Sequence, residues 1–252
     1  MLKDKLTPTN QFTPDMEIAL TALKKYLPAI SSAERTAIQH SIKALEKAQF
    51  KDADSAMCKH YVRELQQVMG VWDAQSKLFP TKQDDLRDKY LAENVEWIYN
   101  YTNHSKMMIW AHNAHIGKSD GSDGHMRMGN LLSKSLKDNY YAMGFDFNSG
   151  SMRSFDPKQA RYVPIDMPVA KPGSSGALFA QCNAADFILD VKSASVDPLI
   201  NSYLHTNVPS FYFGAGYSFG EPLHYVTHKL ADAYDAVIFI RETCASTDIK
   251  KL

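Results

Sequence analysis

Apolar residues recur at helical spacing through the first hundred positions of the chain, then give way to short, separated runs. Thr13-Pro14-Asp15 opens the first stretch with proline at a first-turn position, Leu20, Leu23 and Leu27 share a face, and Pro28 stops it. Ser31-Ser32-Ala33-Glu34 has the spacing of a capping box, and Ile38, Ile42 and Leu45 line the helix that follows. A third helix carries Tyr61, Val62, Leu65, Val68, Met69 and Trp72. Leu78-Phe79-Pro80-Thr81 breaks it, and a fourth runs from Asp84 through Leu91, Val95 and Ile98. Beyond residue 105 the runs 106–111, 140–145, 161–165, 187–191, 210–213 and 236–241 read as strands, with helical patterns at 126–137 and 175–182 between some of them. Alternating strands and helices predict an α/β fold with a largely parallel sheet and a helical region at the N-terminus. The expected division is a frayed segment over 1–13, a helical region over 14–101 and an α/β catalytic-type region over 102–252.

The richest of these runs is Lys106-Met107-Met108-Ile109-Trp110-Ala111-His112-Asn113-Ala114-His115-Ile116-Gly117. It reads as a buried strand that delivers two histidines, three residues apart, to its carboxyl end. Open α/β sheets bind ligands at that edge. A neutral imidazole there can take a proton from water near neutral pH, and a protonated one can stabilise an oxyanion. Neighbouring histidines also push their pKa values apart, because both resist being charged together.

Composition narrows the partners. Lys plus Arg (28) balances Asp plus Glu (28), so no global field draws nucleic acid or an anionic membrane. Cys58, Cys182 and Cys244 are odd in number and far apart, which favours a reducing compartment. No apolar run approaches the roughly 20 residues of a membrane span. Met1-Leu2-Lys3-Asp4-Lys5 leads into Thr, Pro, Asn and Gln rather than a secretory core, so a cytoplasmic location is expected if Met1 is the natural start.

Arg87-Asp88-Lys89-Tyr90-Leu91-Ala92-Glu93-Asn94-Val95-Glu96-Trp97 resembles the helix that precedes the histidine strand in the erythromycin esterase family. Trp110-Ala111-His112-Asn113-Ala114-His115, then Met128-Gly129 opening a helix, Met143-Gly144-Phe145, and Ala233-Tyr234-Asp235-Ala236-Val237-Ile238-Phe239-Ile240 follow in that family's order. The resemblance spans residues 84–247. It implies hydrolysis of an ester or lactone by activated water, with no metal, no cofactor and no acyl-enzyme, and antibiotic resistance as a family role. It places His112 and His115 in catalytic roles, base, acid or electrostatic, without saying which holds which. The ligand implied is a small ester, lactone or glycan-type molecule. The family's Gly-Glu-x-x-His-Gly turn is not found before Asp84. The chain therefore resembles the carboxyl-terminal part of such a protein, with a sheet edge open to self-association or to a separate N-terminal portion. Gly220-Glu221-Pro222-Leu223-His224 spells a similar string at the wrong end of the chain and reads as coincidence.

Other readings compete for these residues. The histidine pair could be a structural turn, or could ligate a metal with Asp120, Asp123 and His125. A non-catalytic or polysaccharide-pathway relative would keep the pocket as a binding module. The loop 117–124 lacks the order of a phosphate-binding loop. Ser174 and Ser175 lack a Gly-x-Ser-x-Gly elbow and so are not expected as nucleophiles. His60 reads as a surface residue and Arg87 with Asp88 as a structural pair. Phe211, Tyr212, Phe213, Tyr217 and Phe219 suit a core or an aromatic wall.

Overall fold

The computed structural model describes residues 31–48, 55–77, 80–119, 124–213 and 223–247, except the side chains of 72–83. The helix expected over 14–27 lies outside them, as do Asp120, Asp123, Tyr217, Phe219 and the start of the Gly220 string. The chain divides into two compact units, one ending at Arg87 and one beginning at Asp88.

In the first unit, α1 (Ser32–Glu46) starts on the expected capping box. The Ser31 N–H donates to Glu34 Oε2 at 2.9 Å and the Glu34 N–H donates to Ser31 Oγ at 3.3 Å. Ile38, Ile42 and Leu45 are buried along one face. Helix α2 (Ser55–Lys77) packs against α1 and buries Cys58, Val62 and Met69. His60 is not at the surface: it is 5% exposed, and its Nε2 lies 3.3 Å from Glu64 Oε1. His60 and Gln67, seven residues apart and both buried, show that α2 is covered on a second face that the single-stripe reading missed. Helix α3 (Pro80–Tyr101) begins at Pro80 itself, because proline lacks only an N–H that a first turn leaves unbonded.

The second unit takes up α3 at Asp88 and continues through α4 (Asn113–Ile116), α5 (Met128–Leu136), β1 (Met143–Asp156), β2 (Arg161–Met167), α6 (Ser175–Phe179), β3 (Asp186–Asp190), α7 (Val191–Ala194), α8 (Pro198–Leu204), β4 (Val208–Tyr212), β5 (His224–His228), α9 (Leu230–Ala233) and β6 (Ala236–Thr243). The main sheet has the order β2-β1-β6-β3, and β4 with β5 forms a separate antiparallel pair. The fold is α/β, but the sheet is mixed rather than largely parallel. Only β1 and β6 run parallel, from Met143↔Ala236 to Gly150↔Thr243, while β1–β2 and β3–β6 are antiparallel. Residues 157–160 join β1 to β2 with a turn too short for a parallel crossover. Phe239 of β6 is fully buried, with Phe179 and Phe187 at centroid distances of 5.6 and 5.2 Å. Burial of a side chain of this size contributes about 2 kcal/mol.

The run at 106–111 is not a buried strand. No strand among the described residues pairs with it; Met108 is 89% and Trp110 81% exposed, while Ile109 and Ala111 pack against the core. Its alternation is that of an extended segment covered on one side. The pairing it lacks is replaced one residue after His112. Asn113 Nδ2 donates to the Phe145 carbonyl at 2.6 Å, and its Oδ1 accepts from the Phe145 N–H at 3.0 Å, so one side chain satisfies the edge of β1 as a strand would. Among the described residues no helix is long and apolar enough to cross a membrane.

Candidate active site

His112 and His115 bracket the single-turn helix α4. His112 is its N-cap, in extended backbone geometry, and its Nδ1 accepts from the Ala114 N–H at 3.2 Å. The turn is pinned from several sides. Asn113 is bonded to β1, Tyr140 Oη donates to the Ile116 carbonyl at 2.7 Å, and the Lys118 N–H donates to the Ala233 carbonyl at 2.9 Å. Lys118 Nζ reaches Asp235 Oδ1 at 2.6 Å, and Asp235 Oδ2 accepts from the Ala142 N–H.

His115 meets a carboxylate. Its Nδ1 donates to Asp88 Oδ1 at 2.7 Å, and the same oxygen accepts from the Met128 N–H at 3.0 Å. Asp88 has no solvent exposure, and Oδ2 has Arg127 Nη1 as its countercharge at 3.5 Å without an aligned hydrogen bond. Burial raises the cost of ionising Asp88, but the His115 and Met128 hydrogen bonds and the His115 and Arg127 charges outweigh it and hold the carboxyl below its ordinary pKa. Asp88 is therefore no mere helix-face partner of Arg87. With the proton of neutral His115 fixed on Nδ1, the lone pair lies on Nε2. Gly129 permits this closeness: a Cβ there would stand 2.3 Å from the Ile116 carbonyl oxygen, so only glycine lets α5 start against the histidine turn and aim the Met128 amide at Asp88.

Beside this turn lies a cavity of about 70 Å³ whose lining includes His112, Arg127, Ser210, Tyr212, His228 and Tyr234. His112 is exposed at its rim, edge-on to Tyr212 at 5.4 Å. Desolvation, then the charges of His115 and Arg127, push its pKa down against a backbone hydrogen bond with Phe213 that favours protonation. His115 does not line the cavity, although its side chain keeps 21% exposure. Tyr212 and Phe211 both serve the cavity wall, and Phe211 also stacks on Phe147 and Tyr225 at 4.9 and 4.8 Å. Ser174 caps α6 through the Ala177 N–H, and Ser175 bonds to Ser210 rather than standing as a nucleophile.

Three site residues escaped the sequence reading: Arg127, Ser210 and His228. Arg127 immediately precedes Met128-Gly129 and was within reach. His224-Tyr225-Val226-Thr227-His228 alternates in β fashion, but five residues are too few to separate from a loop. Among the described residues no three His, Cys, Asp or Glu side chains are grouped to hold a metal, and His125 remains the only described member of the trio considered for that role.

The fold is that of a hydrolase-like α/β protein. The chain belongs to the erythromycin esterase family, whose model matches residues 5–243, so the match also takes in the helical region before Asp84. Three solved structures are similar. A protein from Bacillus cereus superposes with a TM-score of 0.67 at 18% identity, covering 92% of this chain and 54% of that one. A succinoglycan biosynthesis protein gives 0.68 at 18%, covering 88% and 52%. A variant of the erythromycin esterase EreC, in its open conformation, gives 0.54 at 15%, covering 89% and 56%. The chain thus spans about half the length of these proteins. No curated protein matches.

Proposed function

We propose that the protein is an erythromycin-esterase-like hydrolase that opens an ester or lactone with histidine-activated water. One observation carries this reading: the buried Asp88 carboxylate bonded to His115 Nδ1 at 2.7 Å. That contact fixes the tautomer and stabilises the imidazolium formed when Nε2 takes a proton from water. The hydroxide equivalent adds to the carbonyl carbon, and Arg127 and His112, both on the cavity wall, stabilise the oxyanion. Collapse breaks the C–O bond, with the electron pair leaving on the departing oxygen.

The test is turnover of a chromogenic short-chain ester and of a macrolide by the purified chain. His115→Ala is expected to lower kcat by at least about 10²-fold and His112→Ala by less. Turnover indifferent to both substitutions would sink the hydrolase reading. A second reading, ligand binding without turnover, is favoured by His115 standing outside the cavity lining. It predicts that calorimetry detects a ligand while no ester is cleaved.

A further inference from the structure

A second acid–base arrangement ends in the same cavity. On the β4–β5 pair, Ser210 lies opposite Val226 and Val208 opposite His228, so Ser210 and His228 are diagonal neighbours on one face, and both line the cavity. His228 Nε2 is 3.1 Å from Ser210 Oγ, and Ser210 Oγ is 2.7 Å from Ser175 Oγ. Ser175, fully buried at the start of α6, stands against the carboxyl of Asp146 on β1 closely enough to favour its ionised form. The link is looser at that end. Asp146 is 6% exposed, its Oδ1 accepts from the Phe147 N–H at 2.9 Å, and its Oδ2 has no hydrogen-bond partner among the described residues. Gly176 makes the chain of contacts possible, because a Cβ there would lie 2.3 Å from the Phe147 carbonyl oxygen and push α6 off β1.

We infer that His228 is the cavity's proton donor, recharged through Ser210 and Ser175 from the carboxyl of Asp146. The inference rests on the hydrolytic reading for the identity of the proton's acceptor. As the C–O bond breaks, the departing oxygen takes the electron pair and the proton from His228 Nδ1. Nε2 receives the Ser210 proton, Ser210 the Ser175 proton, and Ser175 the Asp146 proton, leaving a carboxylate that solvent reprotonates. The proton taken from water by His115 returns to solvent, so the sum is ester plus water giving acid plus alcohol. The surroundings suit this store. Asp146 is near enough to Tyr203, Tyr225 and Tyr234 for its charge to oppose their ionisation, and burial pushes its own pKa up to about 6. His228 faces Tyr234 edge-on at 5.7 Å and shares the cavity with His112 and Arg127, and burial lowers its pKa.

The experiment compares leaving groups. With an alkyl ester or lactone, whose alkoxide must be protonated, His228→Gln and Asp146→Asn are expected to lower kcat about 10²-fold. With a nitrophenyl ester, whose phenolate departs unaided, the loss in both variants should be at least about tenfold smaller than with the alkyl ester. Equal losses on both substrates overturn the proposal. A second arm needs no turnover: in histidine-labelled protein, NMR should show the His228 ring sensing the Asp146 titration, and Asp146→Asn and Ser210→Ala should each abolish that inflection. Its persistence in both folded variants overturns the relay, even if no ester is cleaved and the hydrolase reading has failed by itself.

Discussion

Asp88 touches its histidine directly, whereas Asp146 reaches one only through two serines, and the two carboxyls titrate in opposite directions. Both are buried, so burial alone does not decide their state. Asp88 has a 2.7 Å contact to His115, an amide from Met128 and the Arg127 charge, and it stays ionised to unusually low pH. Asp146 has the Phe147 amide and the Ser175 hydroxyl, with no cation against it among the described residues, and it holds its proton up to about pH 6. The difference assigns work: an ionised carboxylate suits a histidine that accepts protons, and a protonated one suits a histidine that gives them.

The sharpest way to break the contrast is Asp88→Ala. It leaves the Met128 amide and the Arg127 guanidinium facing a buried void, and loss of one partner in such a network costs about 3–5 kcal/mol. Because the Asp88 pKa is lowered on folding, its contribution is complete above the ordinary carboxylate pKa and is lost as pH falls below it. Urea unfolding at pH 7 should show the full deficit, and the deficit should shrink in acid. A deficit below 1 kcal/mol at pH 7 contradicts the network.

Asp146→Asn should act with the opposite sign. The folded protein resists ionising Asp146, so between pH 3.8 and about 6 the unfolded chain loses a proton that the folded one keeps, and stability falls. That rise in pKa corresponds to at most about 3 kcal/mol. The amide variant keeps the shape without the ionisation, and should be more stable than the parent at pH 8 and indistinguishable at pH 3.5. Gly176→Ala sharpens the geometry behind this, because overpacking α6 against β1 is expected to cost about 2 kcal/mol. It should also release the His228 resonance from Asp146.

These two arrangements were unequally legible in the sequence. What depends on neighbours in the chain could be read: the Ser31–Glu34 capping box, the apolar stripe of α1, and the histidine pair at the end of an extended run. What depends on distant pairing could not. The run 106–111 shows the apolar content of a central strand, but whether a ladder forms depends on a second strand, and Asn113 takes that place at Phe145. The parallel sheet was over-read because β1 was expected to stop at 145. Its continuation to Asp156, followed by a short turn, turns that pairing antiparallel. Asp88 was visible as an acid on a helix, yet its partner stands 27 residues on. The serine relay draws one residue from each of four elements, so no window of the sequence contains it.

The smallest effect concerns His112, and it separates that residue from both pairs. Among the described residues His112 meets no carboxylate; its Nδ1 caps α4 through the Ala114 amide, and its ring forms the cavity rim against Tyr212. His112→Ala should therefore cost about 1 kcal/mol, the usual worth of an N-cap. Its lowered pKa means folding favours the neutral ring, so the contribution is complete above the ordinary histidine pKa and fades as pH drops below it. A cap whose ring is protonated can no longer accept the Ala114 hydrogen bond at Nδ1. The stability difference between parent and variant should thus be complete at pH 8 and smaller at pH 5. If the difference instead grows in acid, His112 is folded as an imidazolium, and the oxyanion role assigned to it rests on that charge.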